Sequence, residues 1–261
     1  MKRSILLISS LLAISTLSSC ETTSKEYIGI VSAMSNEIDI LLKEAQIERI
    51  DKIGGVDYHV GKLKDKNVII SKSGIGKVKA SAGVTTLFNS YNISDVLFTG
   101  IAGAVGDETS VLDQVIATTL VEHDYGRLTD EGLIWAGGDP GGELEPGVVY
   151  TCDENLVNLA YEVAVSTLGE KHVFKGRIAT GDQFIASENY VKKLRENFNA
   201  IACEMEGASV ACVCEAYKTP YVVLRALSDK ADGKAHESYA DFGNIAASHS
   251  SNIVLGMLEK M

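Results

Sequence analysis

The chain has 261 residues, 46% hydrophobic and 23% charged, a globular balance unlike that of a disordered or fibrous protein. Its formal charge of −11 repels phosphate backbones and anionic headgroups, and the basic residues are scattered, which argues against nucleic acid as a partner. No repeat and no Pro/Ser-rich linker divides the chain, so residues 27–261 read as one domain.

The first residues stand apart. Lys2 and Arg3 are followed by an apolar stretch from Ile5 to Leu17, too short to span a bilayer comfortably. It ends in Leu17-Ser18-Ser19-Cys20, which resembles a bacterial lipobox. Residues 1–19 are therefore expected to be a signal peptide, with Cys20 lipid-modified and residues 20–26 forming a tether of about 20 Å when extended. That predicts an exported protein whose membrane contact is this lipid anchor, on a face the sequence does not specify. A plain secretory signal, or a soluble cytoplasmic protein with an apolar start, is the alternative. Cys152, Cys203, Cys212 and Cys214 could pair in an exported protein, with a connectivity the sequence does not specify; they lack zinc-ligand spacing, and their apolar neighbours favour buried small hydrophobes.

From Tyr27 to Ala33 runs an apolar, β-branched strand, after which Ser35 can cap a helix carrying Ile38, Leu41, Leu42 and Ala45 on one face. Val68 to Lys72 is a second strand, leading through Ser73-Gly74-Ile75-Gly76-Lys77 into a helix ending near Ser90. A third strand, Asp95 to Thr99, enters an expected turn at Gly100-Ile101-Ala102-Gly103-Ala104, and Val111 to Glu122 is a further strand. Residues Asp124 to Gly147 read as a long irregular loop, a length usually tied to function or disorder. A helix over Asn155–Leu168, a strand over Val173–Thr180, a helix over Glu188–Asn197 and a short strand into Cys203 follow. The chain closes with a helix from Glu206 to Tyr217, a strand from Tyr221 to Leu227 and a helix from about Asp241 to Lys260. This alternation predicts an α/β fold of three αβα layers, in which ligands collect at the carboxyl ends of strands.

Polar groups gather at those ends in Met34-Ser35-Asn36-Glu37, Gly181-Asp182-Gln183-Phe184-Ile185, Glu204-Met205-Glu206 and Arg225-Ala226-Leu227-Ser228-Asp229. Singly, each has an ordinary structural explanation. Glu37 suits the first turn of a helix, Asp229 can cap the next turn, Glu206 can be solvated and Phe184 can be core. In order, SGIGKV (Ser73 to Val78), TGIAGA (Thr99 to Ala104), GDQFI (Gly181 to Ile185), EMEGASVA (Glu204 to Ala211) and LRALSDKAD (Leu224 to Asp232) resemble the bacterial methylthioadenosine/S-adenosylhomocysteine nucleosidases of the nucleoside phosphorylase superfamily. The resemblance runs from about Tyr27 to the C-terminus.

It implies a central mixed β-sheet flanked by helices, and hydrolysis of the N-glycosidic bond of a thioadenosine. Asp229 would protonate N7 of adenine, and Glu37 would draw a proton from the attacking water. Glu206 would hold the ribose hydroxyls and stabilise an oxocarbenium-like transition state. Phe184 would stack on the purine, the backbone at Ile185 would bond its edge, and Met205 would pack under the sugar. Arg225 would hold the water and neighbouring carboxylates, Ser228 would position Asp229, Tyr239 would line the 5′ side, and Ile75 would join the substrate-binding residues. Neither a metal nor an organic cofactor is implied, and relatives are homodimers.

Ile101 departs from members carrying serine there, and Tyr125-Gly126-Arg127 departs in the loop that covers the 5′ group in relatives. The choice among methylthioadenosine, S-adenosylhomocysteine and 5′-deoxyadenosine is therefore open, as is a futalosine-type substrate. Phosphorolysis is the first rival. It needs an arginine-rich dianion site, whereas only Arg127 accompanies Arg225 near the expected loops. An adhesive surface lipoprotein using the enzyme fold as a scaffold is the second.

Overall fold

The computed structural model describes residues 25–135 and 149–261. The signal peptide, Cys20, most of the tether and the second half of the Asp124–Gly147 loop lie outside the described residues.

β1 (Glu26–Ser32) is buried at every position after its first, as its apolar run requires. The following helix, α1 (Ser35–Glu44), differs from expectation at its start. Met34 occupies the cap position, and Glu37 reaches back to accept the Met34 backbone N–H at 2.7 Å, so Ser35 is not the cap. Next comes an antiparallel pair that the sequence reading passed over, β2 (Gln46–Ile53) and β3 (Val56–Leu63), joined at Gly54-Gly55. No residue of β2 is buried, and Glu48, Arg49 and Lys52 are exposed charges, as suits an edge strand. β4 (Lys66–Lys72) and α2 (Lys77–Ser90) fall where expected.

The Gly100–Ala104 turn is overturned. β5 (Asn92–Ala104) runs straight through it for 13 residues. A Cβ on Gly100 would lie 2.7 Å from Glu37 Oε1 and 3.0 Å from Arg225 Nη1, so glycine is there to admit two charged side chains, not to bend the chain. After β6 (Gln114–Glu122), the supposed irregular loop opens with a hairpin, β7 (Gly126–Thr129) and β8 (Gly132–Trp135), which buries Trp135 against Phe198. β9 (Val149–Thr151) pairs antiparallel with β6. The remaining elements are α3 (Glu154–Leu168), β10 (Val173–Thr180), α4 (Glu188–Phe198), β11 (Ala200–Glu204), α5 (Gly207–Tyr217), β12 (Tyr221–Asp229) and α6 (Ala235–Lys260). Of these, α6 begins earlier than expected and takes in His236 and Tyr239.

The main sheet is mixed, in the order β11-β10-β6-β12-β5-β1-β4-β3-β2. β11 also pairs with β5, so β5, β12, β6, β10 and β11 close on themselves. α6 packs on β12 and β5 and against α1 and α3, while α2 and α5 pack together and both reach β5. The core lies between these helices and the sheet. Cys152, Cys203 and Cys214 are buried free thiols, but Cys212 is exposed, against expectation, because it falls on the outer side of α5. Among the described residues, no helix is long and apolar enough to cross a membrane.

Candidate active site

The carboxyl ends of β1, β5, β11 and β12 converge with the turn before α2 and the loop after β10 on a cavity of about 240 Å³. Its wall carries Glu37, Glu206, Ser228 and Asp229, with apolar surface from Met34, Ile75, Ile101, Phe184, Ile185 and Met205, and is completed by His236 and Tyr239 from α6.

Glu37 is buried, and backbone amides surround its carboxyl. Oε2 accepts from Ala33 N at 3.0 Å and Met34 N at 2.7 Å, and Oε1 accepts from Ile101 N at 3.1 Å. Burial pushes its pKa up, while the Arg225 charge and these amides pull it back. The Ile101 departure thus leaves a backbone donor to the carboxylate where some relatives have a serine hydroxyl.

Asp229 ends β12. Its Oδ2 accepts from the Ser228 hydroxyl at 2.8 Å and its Oδ1 from Ala231 N at 2.7 Å. The turn-capping role and a place in the site therefore coincide. Burial raises its pKa against those two bonds. Glu206 sits at the start of α5, where its Oε1 accepts from Gly76 N at 2.8 Å. That bond needs Gly76 at φ 97°, a left-handed backbone that favours glycine. Burial, then the adjacent Glu204 carboxylate, push Glu206 up to about 8.

The loop bearing Phe184 and Ile185 is tied at both ends. Lys77 N and Asp182 N donate to Asp182 and Asp124 carboxylates at 2.8 Å each, and Ser187 N donates to Ala231 O at 2.7 Å. Phe184 is 51% exposed at the cavity mouth, edge-on to Tyr239 at 6.3 Å, so the core reading of Phe184 is wrong. The Tyr239 hydroxyl donates to the Met34 sulfur at 3.5 Å.

Every candidate except Arg225 lines the cavity. Arg225 is fully buried behind it, its guanidinium 4.2 Å from the centre of the Phe98 ring and its Nη2 donating to Glu204 Oε2 at 2.8 Å. Its influence on Glu37 and Glu206 passes through charge. His236 and Gln183 are wall residues to which no role was assigned from sequence. His236 stands one helical turn before Tyr239, a spacing that would have signalled it had α6 been started early enough. Arg127, on β7, is not on the wall. Among the described residues, no group of His, Cys, Asp and Glu side chains is placed to hold a metal ion.

A family model described as the phosphorylase superfamily matches residues 27–259. The chain belongs to that superfamily. Within the phosphorylase superfamily, it is 40% identical to the aminodeoxyfutalosine nucleosidase of Campylobacter jejuni over 235 residues, 90% of this chain and 99% of the relative. It is 38% identical to the 5′-methylthioadenosine/S-adenosylhomocysteine nucleosidase of Bacillus cereus over 244 residues, again 90% and 99%. The solved Neisseria meningitidis nucleosidase of that name, in complex with methylthio-immucillin-A, superposes with a TM-score of 0.80 at 31% identity, covering 91% of this chain and 100% of its own. These phosphorylase-superfamily relatives are nucleosidases, and the chain is an N-glycosyl hydrolase of their kind.

Proposed function

We propose that the enzyme hydrolyses the N-glycosidic bond of 5′-methylthioadenosine and S-adenosylhomocysteine, releasing adenine and the thioribose product. The observation that carries this reading is the state of the three backbone amides around Glu37. In a phosphorolytic site, free amides and arginines would hold a dianion. Here the amides of Ala33, Met34 and Ile101 all donate to one carboxylate, and Arg225 is bonded to another. A phosphate at this place would meet Glu37, Glu206 and Asp229 across the cavity. A neutral water suits it better.

In the proposed reaction, Asp229 is the acid. Burial raises its pKa and so favours the protonated form, which gives its proton to N7 as the bond from C1′ to N9 breaks. Water attacks C1′, and its proton passes to Glu37 as the new C–O bond forms. Glu206 binds the ribose hydroxyls, and its ionised form stabilises the positive charge that develops at the ring. Phe184 and Met205 hold the base and sugar between apolar faces, the Ile185 backbone reads the purine edge, and Ile75 and Tyr239 bound the 5′ group.

Aminodeoxyfutalosine hydrolysis is a second reading, favoured by the 40% identity to the Campylobacter jejuni enzyme. It differs from the first only beyond the 5′ carbon. Export with a Cys20 lipid anchor and assembly as a homodimer belong to the same proposal, on the strength of the leader and the family resemblance.

The test is adenine release from methylthioadenosine, S-adenosylhomocysteine and aminodeoxyfutalosine by the full chain, with and without phosphate. Phosphate-independent release from the first two supports the proposal. Failure of the well-folded protein to release adenine from any of them sinks it.

A further inference from the structure

Glu204 is the buried carboxylate to which the reaction above gives no task, and it is the most heavily bonded side chain around the cavity. Its Oε1 accepts the Thr180 hydroxyl at 2.5 Å, and its Oε2 accepts Glu206 N at 3.0 Å, Gly207 N at 2.7 Å and Arg225 Nη2 at 2.8 Å. Thr180 in turn accepts Ala208 N at 2.9 Å. One carboxylate therefore joins the ends of β10 and β11 and the middle of β12 to the first turn of α5. Glu206 begins that turn, so its backbone is clamped by Glu204 while its side chain points across to Gly76.

We propose that Glu204 is a positioning residue for the ribose-binding carboxyl: it locks the turn that presents Glu206 and confronts Glu206 with a fixed buried negative charge. Its catalytic consequence rests on the nucleosidase reading; its electrostatic consequence does not.

The groups facing Glu206 are Glu204 from β11, Arg225 and Asp229 from β12, Glu37 from α1 and the Gly76 amide before α2. Glu204 also faces His123 at the end of β6. After burial, Glu204 is the largest cause holding Glu206 up to about 8, outweighing the more distant Glu37. Arg225, bonded to Glu204, opposes it with a smaller effect. Removing the Glu204 charge while keeping its shape should therefore make Glu206 ionise more easily and leave its turn less well held.

The experiment uses the full chain with its glutamates carboxyl-labelled with carbon-13, the Glu206 resonance being assigned by its loss in Glu206→Gln. Wild type should show Glu206 titrating near pH 8 without any substrate. Glu204→Gln should move that titration down by about one pH unit or more and lower kcat at least roughly tenfold, with a smaller change in KM. Thr180→Val removes one bond to Glu204 and leaves its charge, so it should keep the wild-type titration. The proposal is overturned if folded Glu204→Gln titrates Glu206 at the wild-type pH or keeps the wild-type kcat. It is equally overturned, whether or not Glu204→Gln folds, if Glu206 in wild type titrates near the ordinary 4.5. Absence of adenine release by wild type would count against the nucleosidase reading alone, because the titration needs no turnover.

Discussion

Replacing Glu206 with glutamine should disable the site and stabilise the fold, increasingly so as the pH rises. Burial and the neighbouring Glu204 raise the Glu206 carboxyl from 4.5 to about 8. Between those values the folded protein keeps a proton that the unfolded chain has shed. The contribution of Glu206 to stability is thus complete below pH 4.5 and lost as the pH climbs through 8. Each pH unit in that window removes about 1.4 kcal/mol, so wild type loses about 3 kcal/mol from this group between pH 5 and pH 7. Glutamine cannot ionise, and its amide oxygen can still accept the Gly76 N–H that Glu206 takes at 2.8 Å. Glu37 and Asp229 titrate in the same direction in both proteins and largely cancel in the difference. For a chain of this size, about 3 kcal/mol is worth roughly 6–12 °C in Tm. The assay is thermal unfolding of both full-length proteins by circular dichroism at pH 5, 6 and 7. The Tm advantage of Glu206→Gln should widen by that amount across the series. A constant gap would refute the claim that the fold carries a buried carboxyl whose ionisation it resists.

Asp229→Asn should lower adenine release about 10³-fold while nucleoside binding, read by calorimetry, persists. In wild type the rate should fall as the pH rises through the Asp229 titration, because burial raises that carboxyl and its protonated form is the acid. Gly100→Ala puts a Cβ 2.7 Å from Glu37 Oε1 and 3.0 Å from Arg225 Nη1. It should cost about 1–3 kcal/mol in denaturant unfolding and at least tenfold in activity; wild-type activity would remove the reason given for that glycine. Glu37→Ala frees the three amides that Glu37 occupies. Hydrolysis should be lost and inorganic phosphate should raise the Tm of the variant but not of wild type; equal shifts would contradict the account of why phosphate is excluded.

Elements with one strong local signal were legible in the sequence. β1 and β12 are buried, mainly apolar runs, and α2 and α4 show helical spacing with clear ends. Misreadings arose where tertiary contacts override local chemistry. Glycine at positions 100 and 103 suggests a turn to anyone who cannot see that Glu37, Arg225 and Asp229 crowd the strand there. β2 and β3 lack long apolar runs because β2 lies at the sheet edge, so periodicity gave little to find. Glu37, Glu206 and Asp229 were legible only as parts of ordered motifs. Their shared cavity depends on strands far apart in sequence. Arg225 was legible as a site residue but not as one held behind the wall, since its partner Glu204 looked like any acid at a strand end.

The position of Arg225 explains how four carboxyls, Glu37, Glu204, Glu206 and Asp229, can share so small a cavity. A guanidinium on the wall would neutralise Glu37 and Glu206 directly and repel the cationic ribose that the reaction creates. Placed behind the wall and bonded to Glu204, it lowers the pKa of both acids from a distance. Among the described residues, no guanidinium faces the place where the ribose cation would form. Unit charges 4 Å apart interact by about 1 kcal/mol in water and about 4 kcal/mol near a protein surface, so carboxylates kept dry act more strongly on the transition state than solvated ones. The same burial that makes Glu206 costly to ionise makes its charge effective once a ribose cation develops beside it. On this view the fold gives up stability at Glu37, Glu206 and Asp229, and the bonds of Glu204 to two other strands and the start of a helix keep the corner in place.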